Sequence, residues 1–238
     1  MNWFSAFLRS TVGAKLAVAV TGILMFLFLI MHLSGNLLVF AGQDAINTYS
    51  QNLRRLGPLL WIARVGLLVS VIAHVILTIR LTRQNAAARQ VRYAIHKPQV
   101  SSLASRAMIV SGLIVMVFIF FHLAHLTFGV VFPDHFALRE TVTNLGQTGS
   151  AAVADRQDVY GMMVAGFKNP MVAGFYVLAL VLLGMHLAHG ISSVFQTLGV
   201  NHPKYNGVLR KSGPALATVI ILGFISIPLA ILFGAVGA

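Results

Sequence analysis

The sequence contains five apolar segments that are each long enough to cross a lipid bilayer as one helix. The hydrocarbon core of a bilayer is about 30 Å thick, which corresponds to about 20 residues of α-helix. Backbone groups have no water to bond in lipid, so such segments must satisfy their own hydrogen bonds as helices. We therefore expect an all-α bundle of five transmembrane helices that forms one domain over residues 1–238. The predicted helices cover about residues 15–40, 59–81, 106–131, 170–198 and 214–236.

The composition fits a membrane protein better than a soluble one. Hydrophobic residues make up 58% of the chain and charged residues 9%, whereas a soluble domain is typically about 25% charged. The formal net charge of +12 would suggest nucleic-acid binding if it were taken alone. The charges lie between the apolar segments instead of along one solvated face, so we expect no nucleic-acid partner. The chain has no cysteine, which excludes disulfides, thiolate-bound clusters and covalent c-type haem.

The distribution of lysine and arginine predicts the orientation, because cytoplasmic loops of membrane proteins carry an excess of these residues. One side of the predicted bundle holds a basic N-terminal arm, a basic loop between the second and third helices and a basic loop between the fourth and fifth. The opposite side holds all five acidic residues of the chain. We therefore expect a cytoplasmic N-terminus and an external C-terminus. The basic residues of the predicted cytoplasmic side are Arg9, Lys15, Arg80, Arg83, Arg89, Arg92, Lys97, Arg106, Lys204, Arg210 and Lys211.

Six of the nine histidines lie inside the predicted helices. Ionisable residues are rare in lipid, where they face the bundle interior and pair with a partner. An interhelical hydrogen bond, a proton relay, and a metal or haem ligand all remain open for any single one of these histidines. Four of the five helices share the six histidines, which favours a function that needs several of them. These residues are His32, His74, His122, His125, His186 and His189.

Counting along the helices places four of these histidines at two depths. At 1.5 Å per residue, His32 and His122 each lie about 25 Å beyond the basic residue that begins their helix on the cytoplasmic side. On the same scale, His74 lies about 9 Å and His186 about 15 Å from the cytoplasmic ends of their helices. The sequence therefore predicts two histidine pairs, each formed by two different helices.

Two imidazoles that face each other across a bundle are typical of a bis-histidine haem. Such a haem has both axial positions filled, so it carries electrons and does not activate oxygen. A zinc site is less favoured because it needs four converging ligands, and the predicted helices hold no carboxylate. A proton relay is less favoured for the same lack of intramembrane acids. Four helix glycines would admit a flat macrocycle, although small residues also serve ordinary helix packing; they are Gly22, Gly66, Gly112 and Gly184.

Four short motifs occur in order on the first four predicted helices: LIMHLSGN, VIAHVILTIR, FIFFHL and MHLAHGISSVFQTLG. With these motifs the chain resembles the five-helix, dihaem cytochrome b membrane subunit of succinate dehydrogenases and fumarate reductases. The resemblance extends over nearly the whole chain. It implies that His32 and His122 bind a distal haem b, and that His74 and His186 bind a proximal haem b.

The resemblance also selects one histidine from each His-Leu-Ala-His segment. In the family, the ligand of the fourth helix precedes a Trp-Gly or similar pair by about thirteen residues. Counting back from Leu198-Gly199 selects His186 over His189, and the aromatic run of the third helix selects His122. Four other residues are candidates to bind a quinone or a haem propionate, although helix packing or capping would equally explain them. They are Ser34, Asn36, His125 and His189.

The resemblance implies that the chain is a subunit of an enzyme in a bacterial cytoplasmic membrane. Its partners would be a cytoplasmic flavoprotein with covalent FAD and an iron–sulfur subunit, docked on the basic loop from Arg83 to Arg106. Menaquinone or ubiquinone in the lipid would exchange electrons with the haems, and the complex could form a higher oligomer. Gly184 occupies the position where some relatives have a proton-carrying glutamate, so we expect no such path. The alternatives are the cytochrome b of a formate dehydrogenase or hydrogenase, and a transporter without haem.

Overall fold

The computed structural model of the protein describes residues 2–88, 103–145, 151–200 and 202–237. Most of these residues are helical. A 3₁₀ turn (Leu37–Ala41) follows α2, and a π-helix (Leu123–Thr127) follows α6. The elements in chain order are α1 (Trp3–Arg9), α2 (Thr11–Asn36), α3 (Gln43–Arg55), α4 (Pro58–Ala87), α5 (Leu103–Arg106), α6 (Met108–His122), α7 (Pro133–Phe136), β1 (Arg139–Leu145), β2 (Ala151–Gln157), α8 (Val159–Phe167), α9 (Pro170–Thr197) and α10 (Pro203–Leu232).

Five of the helical segments are long and apolar enough to cross a membrane, namely those built on α2, α4, α6, α9 and α10. Many of their large apolar side chains are exposed. In α4, for example, Leu68, Val69 and Ile72 are exposed, while Ser70 is the buried residue of the helix. A helix that is apolar on all sides and exposes those side chains suits a lipid environment. The predicted set of five apolar helices is therefore confirmed.

The fifth helix begins eleven residues earlier than predicted, at Pro203 instead of Pro214, and ends at Leu232. Proline at the first helical position is well tolerated, but an internal proline leaves the carbonyl four residues earlier without its helical donor. For Pro214 that carbonyl belongs to Arg210, and the Ser192 hydroxyl of α9 lies 3.4 Å from it. The same hydroxyl lies 3.1 Å from the carbonyl of Ala188 in its own helix. The helix continues through Pro214, and basic residues that we predicted in a loop belong to α10; they are Lys204, Arg210 and Lys211.

The third apolar segment changes its helical geometry at its end. Regular α-helix stops at His122, and the backbone N–H of Phe128 donates to the carbonyl of Leu123 at 2.8 Å, a π-type bond. The segment ends at Thr127 instead of the predicted residue 131. Short π-segments are frequent at functional sites, and this one contains His125.

The region between the third and fourth long helices contains a β-hairpin that we did not predict, although the described chain is mainly helical. Strand β1 pairs antiparallel with β2, with Arg139 opposite Gln157 and Leu145 opposite Ala151. The segment Thr141–Thr143 is β-branched throughout, and such residues favour strands over helices. The amphipathic helix α3, which we also did not predict, contacts strand β2.

The chain divides into two compact units, each assembled from several chain segments. The first unit comprises Met1–Ile30, Trp61–Gly112 and Gly184–Val219. Its buried residues are small: Ala14, Ala19, Ser70, Ser111 and Ala217.

The second unit comprises Met31–Leu60, Leu113–Leu183 and Ile220–Ala238. It has a core of large apolar side chains, which includes Val39, Phe118, Phe167, Tyr176 and Ile231. The long helices α2, α6, α9 and α10 run through both units, so that each unit receives its own part of these helices.

Candidate cofactor site built from histidine pairs

In the second unit, the structure brings His32 and His122 together. His32 lies near the end of α2 and His122 is the last residue of α6; their ring centroids are 5.7 Å apart, with the ring planes at 90°. Two imidazoles that bind one metal from opposite sides, with bonds of about 2 Å, place their centroids roughly 6 Å apart. The separation of this pair therefore fits one metal ion between the two rings.

In the first unit, His74 lies in α4 and His186 lies in α9. Each imidazole contacts a hydroxyl group of a different helix. The Nδ1 atom of His74 lies 3.1 Å from Oγ1 of Thr21 in α2. The Nδ1 atom of His186 lies 3.4 Å from Oγ of Ser111 in α6. His74 and His186 therefore each lie beside a hydroxyl group that belongs to another long helix.

The hydroxyl partners determine which ring nitrogen carries the proton. The Thr21 hydroxyl donates to the main-chain carbonyls of Ala17 and Val18, at 2.8 and 3.0 Å. The Ser111 hydroxyl donates to the carbonyl of Met108 at 3.2 Å. When the hydroxyl donates its single hydrogen to one of these carbonyls, its oxygen accepts from the imidazole, and Nδ1 carries the proton. Nε2 then keeps its lone pair, which is the form in which a neutral histidine binds a metal.

Glycine lies beside the hydroxyl residue in both contacts. A Cβ atom at Gly22 would lie 3.5 Å from Cε1 of His74, and one at Gly112 would lie 3.3 Å from Cε1 of His186. A Cβ at Gly66, by contrast, would meet nothing within 4 Å. Among the four glycines that we considered as macrocycle neighbours, Gly22 and Gly112 therefore lie directly against predicted ligand histidines.

The two contacts share one sequence pattern, which we did not predict from the spacing of the histidines. In α2, Thr21-Gly22 precedes His32 by ten residues, and in α6, Ser111-Gly112 precedes His122 by the same interval. Each of these helices thus supplies a histidine to one pair and a hydroxyl–glycine step to the other pair. Comparing residues 21–32 with residues 111–122 would have revealed the repeat.

His125 is buried in the second unit and is only 1% exposed. Its Nδ1 atom lies 2.9 Å from the Tyr176 hydroxyl of α9, which also lies 3.4 Å from Nδ1 of His122. Nε2 of His125 has no hydrogen-bond partner. Aromatic rings surround this histidine, including Phe121, Phe132 and Phe167. The structure therefore places this quinone or propionate candidate beside a predicted haem ligand, in contact with a tyrosine that sequence reasoning did not single out.

The other three candidates for quinone or propionate binding have separate surroundings. Nε2 of His189 lies 3.1 Å from the hydroxyl of Ser193, one turn along the same helix. The side-chain amide of Asn36 donates to the main-chain carbonyl of His32 at 2.7 Å and lies 3.4 Å from Nδ1 of that histidine. Ser34 is exposed in α2. Their roles stay predictions.

A polar cluster in the second unit joins α3 to the hairpin. Arg156 has a side chain only 7% exposed, and it donates to Asp44 at 2.7 Å and to Glu140 at 2.8 Å. These hydrogen bonds from Arg156 hold the pKa values of Asp44 and Glu140 below their ordinary range. The buried Asn47 donates to Glu140 and to Asp158, at 2.7 and 2.9 Å. Three of the acids that the sequence places on one side of the predicted bundle, Asp44, Glu140 and Asp158, therefore form hydrogen bonds within the protein.

Within residues 2–88, 103–145, 151–200 and 202–237, no group of three or more His, Asp or Glu side chains is arranged to hold a metal ion. Three residues of the predicted docking loop, namely Arg89, Arg92 and Lys97, lie outside the described residues.

No protein-family model, no curated protein and no solved structure matches the chain. The fold and the site therefore define the class of the protein by themselves. The chain is mainly helical, and its five long apolar helices indicate a multi-pass membrane protein. Within that class, His32 and His122 of different helices lie together in the second unit, and in the first unit His74 and His186 each lie beside a hydroxyl group of another helix.

Proposed function

We propose that the chain is the membrane anchor and dihaem b electron-transfer subunit of a succinate:quinone oxidoreductase. The observation that carries the proposal is the histidine arrangement of each unit. In one unit, two imidazoles lie at a separation that fits a single metal. In the other, Nδ1 of His74 and Nδ1 of His186 lie 3.1 and 3.4 Å from hydroxyl oxygens of other helices. The resemblance of the sequence to dihaem cytochrome b subunits supports the choice of haem as that metal centre.

His32 and His122 would hold one haem, and His74 and His186 the other. A haem bound in this way supplies a one-electron carrier whose axial positions are both filled by protein. Thr21 and Ser111 hold the rings of His74 and His186 and keep a proton on Nδ1. Gly22 and Gly112 let the helix backbone approach those rings. Exposed apolar faces of the helices contact lipid, from which a quinone would enter.

The orientation and partners in this proposal come from charge and from the resemblance. The basic residues face the cytoplasm of a bacterium, where a flavoprotein with FAD and an iron–sulfur subunit would dock. Electrons would pass between the iron–sulfur subunit and menaquinone or ubiquinone through the two haems. The enzyme would oxidise succinate or reduce fumarate in its partner subunit, and this chain would contribute electron transfer.

The proposal is tested by purifying the native complex in detergent and recording its reduced-minus-oxidised spectrum. We expect b-type bands and, by pyridine haemochrome assay, about two haems per chain. We also expect copurification of a flavoprotein with covalent FAD, and reduction of the haems by succinate. A folded, colourless chain would refute the haem centre and favour a transporter. A copurifying molybdenum or nickel enzyme would point instead to the cytochrome of a formate dehydrogenase or hydrogenase.

Single histidine variants test the assignment of the pairs. Replacing either His74 or His186 by alanine should remove the same haem, and replacing His32 or His122 should remove the other, because each iron needs both axial ligands. The His189→Ala variant is the matched control and should keep both haems. If His189→Ala loses a haem and His186→Ala retains it, the ligand assignment on α9 is wrong.

A further inference from the structure

We infer that Tyr176 positions the haem ligand His122 through a hydrogen bond and thereby tunes the electron affinity of one haem only. The inference rests on the proposed function, since it requires His122 to bind iron. The Tyr176 hydroxyl lies 3.4 Å from Nδ1 of His122 and 2.9 Å from Nδ1 of His125. The first separation is longer than the roughly 2.7–3.2 Å of an ordinary hydrogen bond to nitrogen, and the second lies within that range. One phenol group thus bridges two imidazoles.

The direction of the two hydrogen bonds follows from the chemistry of a ligating histidine. If His122 binds iron through Nε2, its Nδ1 must carry a proton and donate to the oxygen of Tyr176. The single hydrogen of the phenol is then directed to Nδ1 of His125, which accepts it. His122 therefore donates to Tyr176, and Tyr176 donates to His125.

The packing around His125 keeps this chain of hydrogen bonds in place. His125 is held in the π-helix and its ring is in edge contact with Phe132, Phe167 and Tyr176. A Cβ atom at Gly166 would lie 2.8 Å from Nε2 of His125, so α8 can approach the ring only with glycine at this position. The protein leaves Nε2 of His125 buried and without a partner, which costs about 1–3 kcal/mol for a typical polar group. Retaining a histidine there favours a role for its other nitrogen, the acceptor of the Tyr176 hydroxyl.

The group beside Nδ1 of His122 differs from the groups beside Nδ1 of His74 and His186. Thr21 and Ser111 give their hydrogens to carbonyls of their own helices, whereas Tyr176 gives its hydrogen to a second imidazole. An acceptor on the Nδ1–H of a ligating histidine raises the basicity of the ligand, which stabilises the oxidised iron. A hydroxyl that is itself a donor becomes a better acceptor. Tyr176 therefore lowers the reduction potential of the haem held by His122.

The experiment is a redox titration of the purified complex with the Tyr176→Phe variant, followed by optical and electron paramagnetic resonance spectra. We expect two haems per chain to remain, because phenylalanine keeps the ring and His122 keeps its ligand bond. For one of the two haems, the equilibrium constant for reduction should rise by about threefold. This corresponds to a rise of about 28 mV in its reduction potential, at 59 mV per tenfold for one electron. Its low-spin ferric signal should shift, while the other component stays unchanged.

Two further variants make the result specific. The His125→Leu variant should retain both haems and move the potential of the same component in the same direction by a smaller amount. The Tyr160→Phe variant is the matched control, since Tyr160 packs against the same core and its hydrogen bond comes from the backbone N–H; both potentials should stay at the wild-type values.

The outcomes separate this inference from the proposed function. If the wild-type complex contains no haem, the proposed function fails. If it contains two haems and Tyr176→Phe changes neither potential nor spectrum, the positioning role fails while the proposed function stands. Loss of a haem in His125→Leu would also overturn the inference, because His125 would then be a ligand.

Discussion

The protonation of the paired histidines is decided by single atoms next to their rings. In the first unit, a hydroxyl oxygen whose hydrogen is donated to a main-chain carbonyl accepts from the ring, and Nδ1 of His74 and of His186 then carries the proton. Such outer contacts orient the ligands of metal sites and are worth about 10–100-fold in metal affinity. The residues that do this here are a threonine and a serine, each followed by glycine.

The glycine beside Ser111 gives a prediction at this scale. In a Gly112→Val variant the new Cβ would lie 3.3 Å from Cε1 of His186, and its two methyl groups would crowd the ring further. We expect His186 to be displaced and one haem to be lost or bound about 10–100-fold more weakly, as measured by haem content after dilution. The Gly66→Val variant places the same side chain where nothing lies within 4 Å, so it should retain both haems; equal losses in both variants would contradict the prediction.

The sequence predicted the paired histidines but not their neighbours. The rise per residue of a helix and the charged residues at its ends give the depth of a histidine in the membrane. This depth is enough to propose that His32 pairs with His122. It does not say which side chain of another helix reaches a ring nitrogen, because that depends on helix rotation and on contacts within a few ångströms. Tyr176 illustrates the limit: it lies in an apolar run, and only the folded chain shows that its hydroxyl reaches two histidines.

At the scale of elements, bilayer thickness explains why the long helices were predictable and the hairpin was not. A span must be about 20 apolar residues long, and this length leaves a clear signal in the sequence. Helix α3 and the hairpin are short and polar. Arg156 of β2 joins them, and α3 also packs against α8 and the 3₁₀ turn. The beginning of α10 was misplaced because proline is well tolerated at the first helical position, whereas the structure holds Pro214 inside the helix.

The polar cluster around Arg156 predicts a pH dependence of stability. Its hydrogen bonds lower the pKa values of Asp44 and Glu140 in the folded state. A carboxylate whose folded pKa is lowered contributes stability above its unfolded pKa of about 4, and this contribution is lost as the pH falls towards the folded pKa. The midpoint of thermal unfolding in detergent should therefore fall as the pH is lowered from about 5 to 3.

The variant Arg156→Gln tests the origin of that pH dependence. We expect the midpoint of thermal unfolding at pH 7 to fall, by about 2–4 °C for each kcal/mol of unfolding free energy lost in a chain of this size. We also expect this midpoint to depend less on pH than that of the wild type. Arg139→Gln is the control on the same hairpin, because Arg139 is exposed and donates only to main-chain carbonyls. If both variants unfold with the same pH profile as the wild type, the carboxylates near Arg156 do not govern acid stability.

At the scale of the whole molecule, orientation in the membrane is the property most directly open to measurement. The chain has no cysteine, so single cysteine variants can be labelled without background. We expect Asn52→Cys in α3 to react with a membrane-impermeant maleimide in intact cells, since α3 lies on the predicted external side. Tyr205→Cys at the start of α10 should react only after the membrane is opened. The reverse labelling pattern would invert the proposed topology.

The repeat of a hydroxyl–glycine step and a histidine on α2 and α6 has a consequence for how mutations spread. Each of these helices supplies the neighbour of one predicted cofactor and the ligand of the other. A substitution that tilts or slides either helix should therefore perturb both spectral components together. Helix α4 carries one predicted ligand, His74, so a shift near it should perturb one component. Helix α9 carries His186 and also Tyr176, which lies beside His122, so a shift of α9 should perturb both components. Correlated defects in the two cofactors would thus map to α2, α6 and α9, and independent defects to α4.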